Sequence, residues 1–291
     1  MSLLLALLLQ VGPDPLAGGL RGDDLVRDRP PRADAEPGET PRDGPSAWLQ
    51  SCLDQLDTDP ARAHTMAQIR RSETTGADRV LANHCLGTAA SALGLWDDAR
   101  AAFLAARAET PAAEPRARAR FAMMAGNAAM AGGDAAGALA MLEEAESEAR
   151  SAAAPLLEAL AAIDRSRALV SLSRNDEALA ALESATTLAP ESAEAWLLKA
   201  TLLRRLERLD AAQGAIEEAA RRTPGAAGFG PEIGLEAGVI AVLAGREEAA
   251  RESWQSVIDL APESPAAATA KDYLAQLGPA SAPAPEEDTP A

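Results

Sequence analysis

The sequence predicts an all-α fold built from a repeated pair of helices. Hydrophobic residues make up 47% of the 291 residues and aromatic residues only 3%, so alanine and leucine must form the core. Both are strong helix formers, whereas valine, isoleucine and tyrosine, which favour strands, are sparse. A second observation is a motif that recurs along the chain, which indicates that the helices are copies of one unit.

The motif is an amphipathic helix that ends at a proline in most copies. Its first copy is GLWDDARAAFLAARAETP (94–111), in which Ala99, Phe103 and Ala106 are spaced to lie on one helical face. Four further segments align with it without gaps. They are GDAAGALAMLEEAESEAR (133–150), SRNDEALAALESATTLAP (173–190), ERLDAAQGAIEEAARRTP (207–224) and GREEAARESWQSVIDLAP (245–262).

Each copy follows another amphipathic helix, so the unit is a helical pair. The first copy is preceded by VLANHCLGTAASAL (80–93), where Gly87 and Ala90 place small side chains at a close helix–helix approach. This pattern resembles the tetratricopeptide repeat, in which two antiparallel helices occupy 34 residues. The resemblance rests on Leu86, Gly87, Ala90, Ala99, Phe103, Ala106 and Pro111 in the first copy, and on Trp196, Ala212, Ala219 and Pro224 in the fourth.

The resemblance implies an α-solenoid over residues 46–277. Its five tetratricopeptide-like hairpins are predicted near 80–113, 119–152, 159–192, 193–226 and 231–264. Because the end units of a solenoid each have one unpaired face, caps are expected. A degenerate helical pair (46–56 and 59–73) is predicted before the first hairpin. Residues 265–277 are predicted as a capping helix, with Ser264 as its N-cap.

The two ends of the chain have a different composition. The apolar run MSLLLALLLQV is too short to span a bilayer, and we interpret residues 1–20 as a secretory signal peptide. Residues 21–45 and the acidic, proline-rich tail 278–291 are predicted to be disordered. A signal peptide predicts a periplasmic or otherwise exported bacterial protein. The absence of a basic residue before the apolar run leaves a cytoplasmic location as the alternative.

The two cysteines fall in the leading helices of neighbouring predicted pairs. Cys52 lies in the degenerate pair and Cys85 in the first good repeat. Leading helices of neighbouring units pack side by side, so a disulfide between them is sterically reasonable. Two reduced, buried thiols are equally compatible with the sequence.

Composition and motifs argue against several functions. The formal net charge of −17 disfavours nucleic acid and anionic membrane surfaces as partners. The chain has no phosphate-binding glycine loop, nucleophile elbow or CxxC motif. Its two histidines, His64 and His84, have no second ligand at metal-binding spacing. The sequence therefore predicts no enzyme activity, no cofactor and no metal.

The resemblance also implies where a partner binds, because the first helix of each unit lines a concave groove in tetratricopeptide arrays. The candidate groove residues are His84, Thr88, Arg120, Met123, Asn127, Met130, Arg167, Thr201 and Arg204. Arginines suit acidic groups, asparagine suits main-chain amides and methionines form an adaptable surface. We expect a non-enzymatic scaffold that binds a peptide or helix of another protein in the bacterial envelope. A cytoplasmic regulator or chaperone-like sensor and a self-associating array are the alternatives.

Overall fold

The computed structural model describes residues 45–223 and 228–278. Within those ranges it consists of helices joined by short turns and contains no strand, which confirms the predicted all-α fold. The predicted signal peptide, the linker up to residue 44 and the tail from residue 279 lie outside the described residues.

The helices are α1 (Pro45–Leu56), α2 (Pro60–Glu73), α3 (Ala77–Ala92), α4 (Trp96–Glu109), α5 (Pro115–Ala131), α6 (Ala135–Ser151), α7 (Pro155–Ser171), α8 (Asn175–Leu188), α9 (Ala193–Arg205), α10 (Leu209–Arg222), α11 (Gly230–Leu243), α12 (Glu247–Leu260) and α13 (Pro265–Leu277). Odd-numbered helices up to α11 open a helical pair and are called leading helices. The even-numbered helices close the pair and are called trailing helices.

The chain divides into two compact units, with the boundary between Pro190 and Glu191. The described part of the first unit contains α1–α8, and that of the second contains α9–α13. Within each unit, helices that follow one another along the chain pack together. Leading helices also pack on each other: α1 on α3 and α5 on α7 in the first unit, and α9 on α11 in the second. Helical pairs therefore stack in each unit.

The helix starts follow from local side-chain chemistry. Asp134 and Ser192, at the starts of α6 and α9, accept hydrogen bonds from the backbone N–H three residues later. Helices α5 and α7 begin at Pro115 and Pro155, four residues before the predicted repeat starts. Proline suits the first turn because its φ is already helical. Its lack of an N–H costs no hydrogen bond there, since the first N–H groups of a helix have no partner within the helix.

The turn inside each repeated pair has the same backbone geometry. One residue in each turn has a positive φ: Gly94 (72°), Gly133 (85°), Ser173 (60°), Glu207 (59°) and Gly245 (74°). In the first turn this conformation lets the next N–H, that of residue 95, bond to the carbonyl of residue 90 at 2.9 Å. The recurrence of this turn is the structural counterpart of the sequence repeat.

In two helical pairs of the first unit, the helices approach closely at a glycine. A Cβ atom added to Gly87 would lie 2.5 Å from the ring of Phe103, and one added to Gly126 would lie 2.8 Å from Leu142. A small residue on the leading helix thus receives a large one from the trailing helix. This packing explains why the motif pairs these residue types at a fixed spacing.

A disulfide joins α1 to α3 in the first unit. The sulfur atoms of Cys52 and Cys85 are 2.02 Å apart, and their Cα atoms are separated by 6.3 Å. Both residues are fully buried, in a cluster that includes Ala63, Ala67 and Leu86. The bridge connects the first helical pair to the second.

Candidate functional site

Six of the nine predicted groove residues lie exposed or half-buried on leading helices of the first unit. We call this set the leading-helix face. It consists of His84 and Thr88 on α3, Arg120, Asn127 and Met130 on α5, and Arg167 on α7. Direct contacts join the three helices at this face, and α5 lies between the other two.

One contact joins α3 to α5. The imidazole of His84 meets the ring of Phe121 edge-on, with centroids 5.5 Å apart. Burial, and after it the positive charge of Arg120, lowers the pKa of His84 to about 4. The imidazole is therefore neutral at neutral pH, and it can offer one hydrogen-bond donor and one acceptor. Arg120, which is exposed, supplies a positive charge at this place.

A second set of contacts joins α5 to α7. The side-chain amide of Asn127 donates to Oδ2 of Asp164 at 2.9 Å, and Nη1 of Arg167 donates to Oδ1 of the same carboxylate at 2.6 Å. Asp164 is buried, and the guanidinium of Arg167 balances its negative charge. The carboxylate fixes two predicted groove residues from different helices in one arrangement.

The remaining two residues of the leading-helix face have different roles. The hydroxyl of Thr88 donates to the carbonyl of His84 at 3.0 Å, which leaves its lone pairs as acceptors. Met130 is half-buried near the end of α5 and adds an apolar contact to an otherwise polar surface.

Met123 does not belong to this surface. Only 1% of its side chain is exposed, so it is part of the hydrophobic core of the first unit. At this site the repeat position alone does not distinguish a groove residue from a core residue.

Thr201 and Arg204, in the second unit, are also buried. Nε of Arg204 donates to Oε1 of Glu236 at 2.6 Å, and this ion pair is almost fully enclosed. Thr201 is 6% exposed. Because α11 packs on α9 and supplies the carboxylate, Arg204 connects two helices inside the unit. These two residues are therefore corrected from binding candidates to structural residues.

Charge is distributed unevenly among the helices of the first unit. Helix α5 carries three arginines and no acidic residue. By contrast, α6 carries four glutamates and one arginine, and α8 carries three acidic residues and no basic one. The central leading helix is thus basic in a chain whose overall charge is strongly negative.

None of the described helices combines the length and the apolar character needed to cross a bilayer. In the same part of the chain, no three His, Cys, Asp or Glu side chains gather as a metal ion would require.

Part of the chain matches a known family. A sequence model described as tetratricopeptide repeat matches residues 163–227. This stretch of the chain is therefore similar to the tetratricopeptide repeat. No curated protein matches the chain in sequence.

Three solved structures resemble this chain in fold. PilW, a widely conserved type IV pilus biogenesis factor, has a TM-score of 0.61 at 15% identity, over 77% of this chain and 97% of its own. Pseudomonas aeruginosa PilF has a TM-score of 0.59 at 16% identity, over 79% and 97%. BtubC from P. vanneervenii has a TM-score of 0.56 at 13% identity, over 85% and 98%. At these identities the likeness concerns the fold.

Two residues that organise this protein were missing from the sequence prediction. Asp164 anchors the cluster on the leading-helix face, and Glu236 neutralises Arg204. Asp164 stands three residues before Arg167, a helical spacing that could have indicated the ion pair. Glu236 lies 32 residues from its partner, and no local pattern indicates a pair at that distance.

Proposed function

We propose that this protein is a non-enzymatic scaffold that binds a segment of another protein at the leading-helix face of its first unit. The observation that carries the proposal is the cluster of Asn127, Asp164 and Arg167, in which a buried carboxylate orients polar groups on two helices. Groups oriented in advance lose less conformational entropy when a partner binds.

The chemistry of the face suits a protein segment. Arg120 supplies an exposed cation and the neutral His84 supplies hydrogen-bonding capacity. The half-buried Met130 adds adaptable apolar contact. Mixed polar and apolar groups along neighbouring helices favour an extended segment or a partner helix over a small molecule.

Site-specific photo-crosslinking in the native host tests the proposal. A photoreactive residue is placed at Thr88 or Met130 on the leading-helix face and, as matched controls, at the exposed Glu143 and Glu183 on trailing helices. We expect one recurrent protein adduct from the first two positions and none from the controls. Adducts confined to the controls, or none at all, would show that the face does not bind a protein.

We also propose that the protein works in the bacterial envelope. The geometry of Cys52 and Cys85 allows a disulfide, a bond that persists in oxidising compartments. PilW, a pilus biogenesis factor, has the same fold. The test is to fractionate the host, determine the N-terminal residue and count free thiols. Cleavage near residue 20 with no free thiol is expected, whereas an intact Met1 with two thiols would favour the cytoplasmic regulator.

A further inference from the structure

Two arginines of α5 have no carboxylate partner in the part of the chain that the structure describes. Within the described residues, neither Arg116 nor Arg120 forms an ion pair or a side-chain hydrogen bond, and both are exposed. The arginine between them, Arg118, does bind a carboxylate, that of Glu148 at 2.9 Å. Acidic residues outnumber basic ones by 44 to 27 in this chain, so carboxylates are not in short supply.

The spacing of the two arginines matches the spacing of carboxylates on an extended chain. Arg116 and Arg120 are one helical turn apart, which corresponds to about 6 Å along α5. In an extended segment, alternate side chains point to the same side and are about 6.6–6.8 Å apart. Each guanidinium can bind a carboxylate with two parallel hydrogen bonds, which makes arginine well suited to this recognition.

The surroundings leave the pair available to a partner. Helix α5 carries no acidic residue that could neutralise the two arginines in place. Asp164, the carboxylate beside the face, is already bound by Asn127 and Arg167. The acidic residues of α6 and α8 belong to trailing helices, where they disfavour an acidic ligand. Charge thus favours α5 over α6 and α8 as the helix that meets an acidic segment.

We infer that the segment recognised at the leading-helix face is acidic, and that Arg116 and Arg120 bind two of its carboxylates at alternate positions of an extended chain. This inference rests on the proposed function and adds the chemistry of the partner to it.

The test measures binding of a defined probe to the full-length chain by fluorescence anisotropy. The probe is a labelled peptide of alternating glutamate and serine, and its comparison is the same peptide with glutamine in place of glutamate. We expect the glutamate peptide to bind and the glutamine peptide to bind about tenfold more weakly or worse, because charge-assisted hydrogen bonds are lost. The double variant Arg116→Gln/Arg120→Gln should weaken binding of the glutamate peptide by a similar factor.

The chain offers a matched control on α2. Arg62 and Arg71 are exposed and, within the described residues, also lack an ion pair, so Arg62→Gln/Arg71→Gln removes the same charge elsewhere. This control should bind the probe within about twofold of the parent chain, since charge–charge interactions at a distance are screened by salt. Equal losses in both double variants, or absence of binding to the parent, would overturn the inference.

One further outcome separates the acidic specificity from the scaffold function. If the photo-adduct from Thr88 or Met130 persists in Arg116→Gln/Arg120→Gln at full yield, the partner is not held by these arginines. In that case the scaffold function stands and only its acidic specificity fails.

Discussion

At the scale of single residues, the buried polar side chains of this protein differ in whether they have partners. Arg204 has Glu236, and Asn127 has Asp164. Asn83 on α3 is fully buried, and its amide nitrogen and oxygen find no hydrogen-bond partner among the described residues. An unsatisfied buried group of this kind costs about 1–3 kcal/mol.

Replacing Asn83 should therefore stabilise the protein. We expect Asn83→Leu to raise the free energy of unfolding by about 1–2 kcal/mol, because an apolar side chain of similar size removes the unsatisfied amide. The matched change Asn127→Leu should lower it by about 1 kcal/mol, because Asp164 loses a hydrogen bond. Urea unfolding of both variants checks this. A loss of stability in Asn83→Leu would mean that the amide is satisfied in solution.

The lowered pKa of His84 predicts a pH dependence with a definite sign. The unfolded chain takes up a proton near pH 6.5, whereas the folded protein does so only at about pH 4. The unfolded state therefore binds more protons in this interval, and stability falls as pH falls through it. Between pH 7 and pH 4, we expect the free energy of unfolding of His84→Gln to fall by about 2–3 kcal/mol less than that of the parent.

Comparing the two proteins by urea unfolding at each pH isolates His84 from the carboxylates, which titrate in both. Parallel stability curves for parent and variant would contradict the prediction.

At the scale of elements, a glycine on one helix receives a large side chain from the next. In the second unit, a Cβ atom at Gly238 would lie 2.2 Å from Nε1 of Trp254. The indole cannot easily retreat, because the same nitrogen donates to the carbonyl of Leu235 at 3.1 Å and the ring is 1% exposed. The close approach of α11 and α12 depends on the missing side chain.

Two glycine-to-alanine changes in the second unit should therefore have opposite effects. Gly238→Ala is expected to lower the free energy of unfolding by about 1–3 kcal/mol through overpacking. Gly214→Ala is expected to raise it by about 0.5–1 kcal/mol, because Gly214 is helical and a Cβ there meets nothing within 4 Å. Thermal unfolding of both variants tests the pair. If both changes raised the free energy of unfolding, helix propensity rather than packing would dominate at Gly238.

The elements were predictable from the sequence because the repeat motif encodes the spacing of small and large residues. Gly87 and Phe103, which the motif singled out, do contact each other across α3 and α4. The candidate site was less predictable. A repeat position gives only the approximate direction of a side chain. Met123, which was predicted to line the groove, is therefore found in the core. The partner of Arg204 is Glu236, which depends on how α11 packs on α9 and leaves no local trace.

At the scale of the whole molecule, the stacking of helical pairs limits how far a local change alters the stability of other helices. Each pair contacts mainly its neighbours, and the chain divides into two compact units. Stability in such arrays is approximately a sum of unit and neighbour terms, without a single cooperative core. A local cross-link should thus protect the helices around it and leave remote helices unaffected.

The disulfide provides the test at this scale. Cys52→Ala/Cys85→Ala opens a loop closed across 33 residues, which costs about 3–4 kcal/mol in the chain-entropy model. Hydrogen exchange should accelerate in α1–α3 and stay unchanged in α11–α13. Gly238→Ala should do the reverse, because its clash lies between α11 and α12. Faster exchange throughout in both variants would show that the chain unfolds as one cooperative body, and the division into units would then have no energetic meaning.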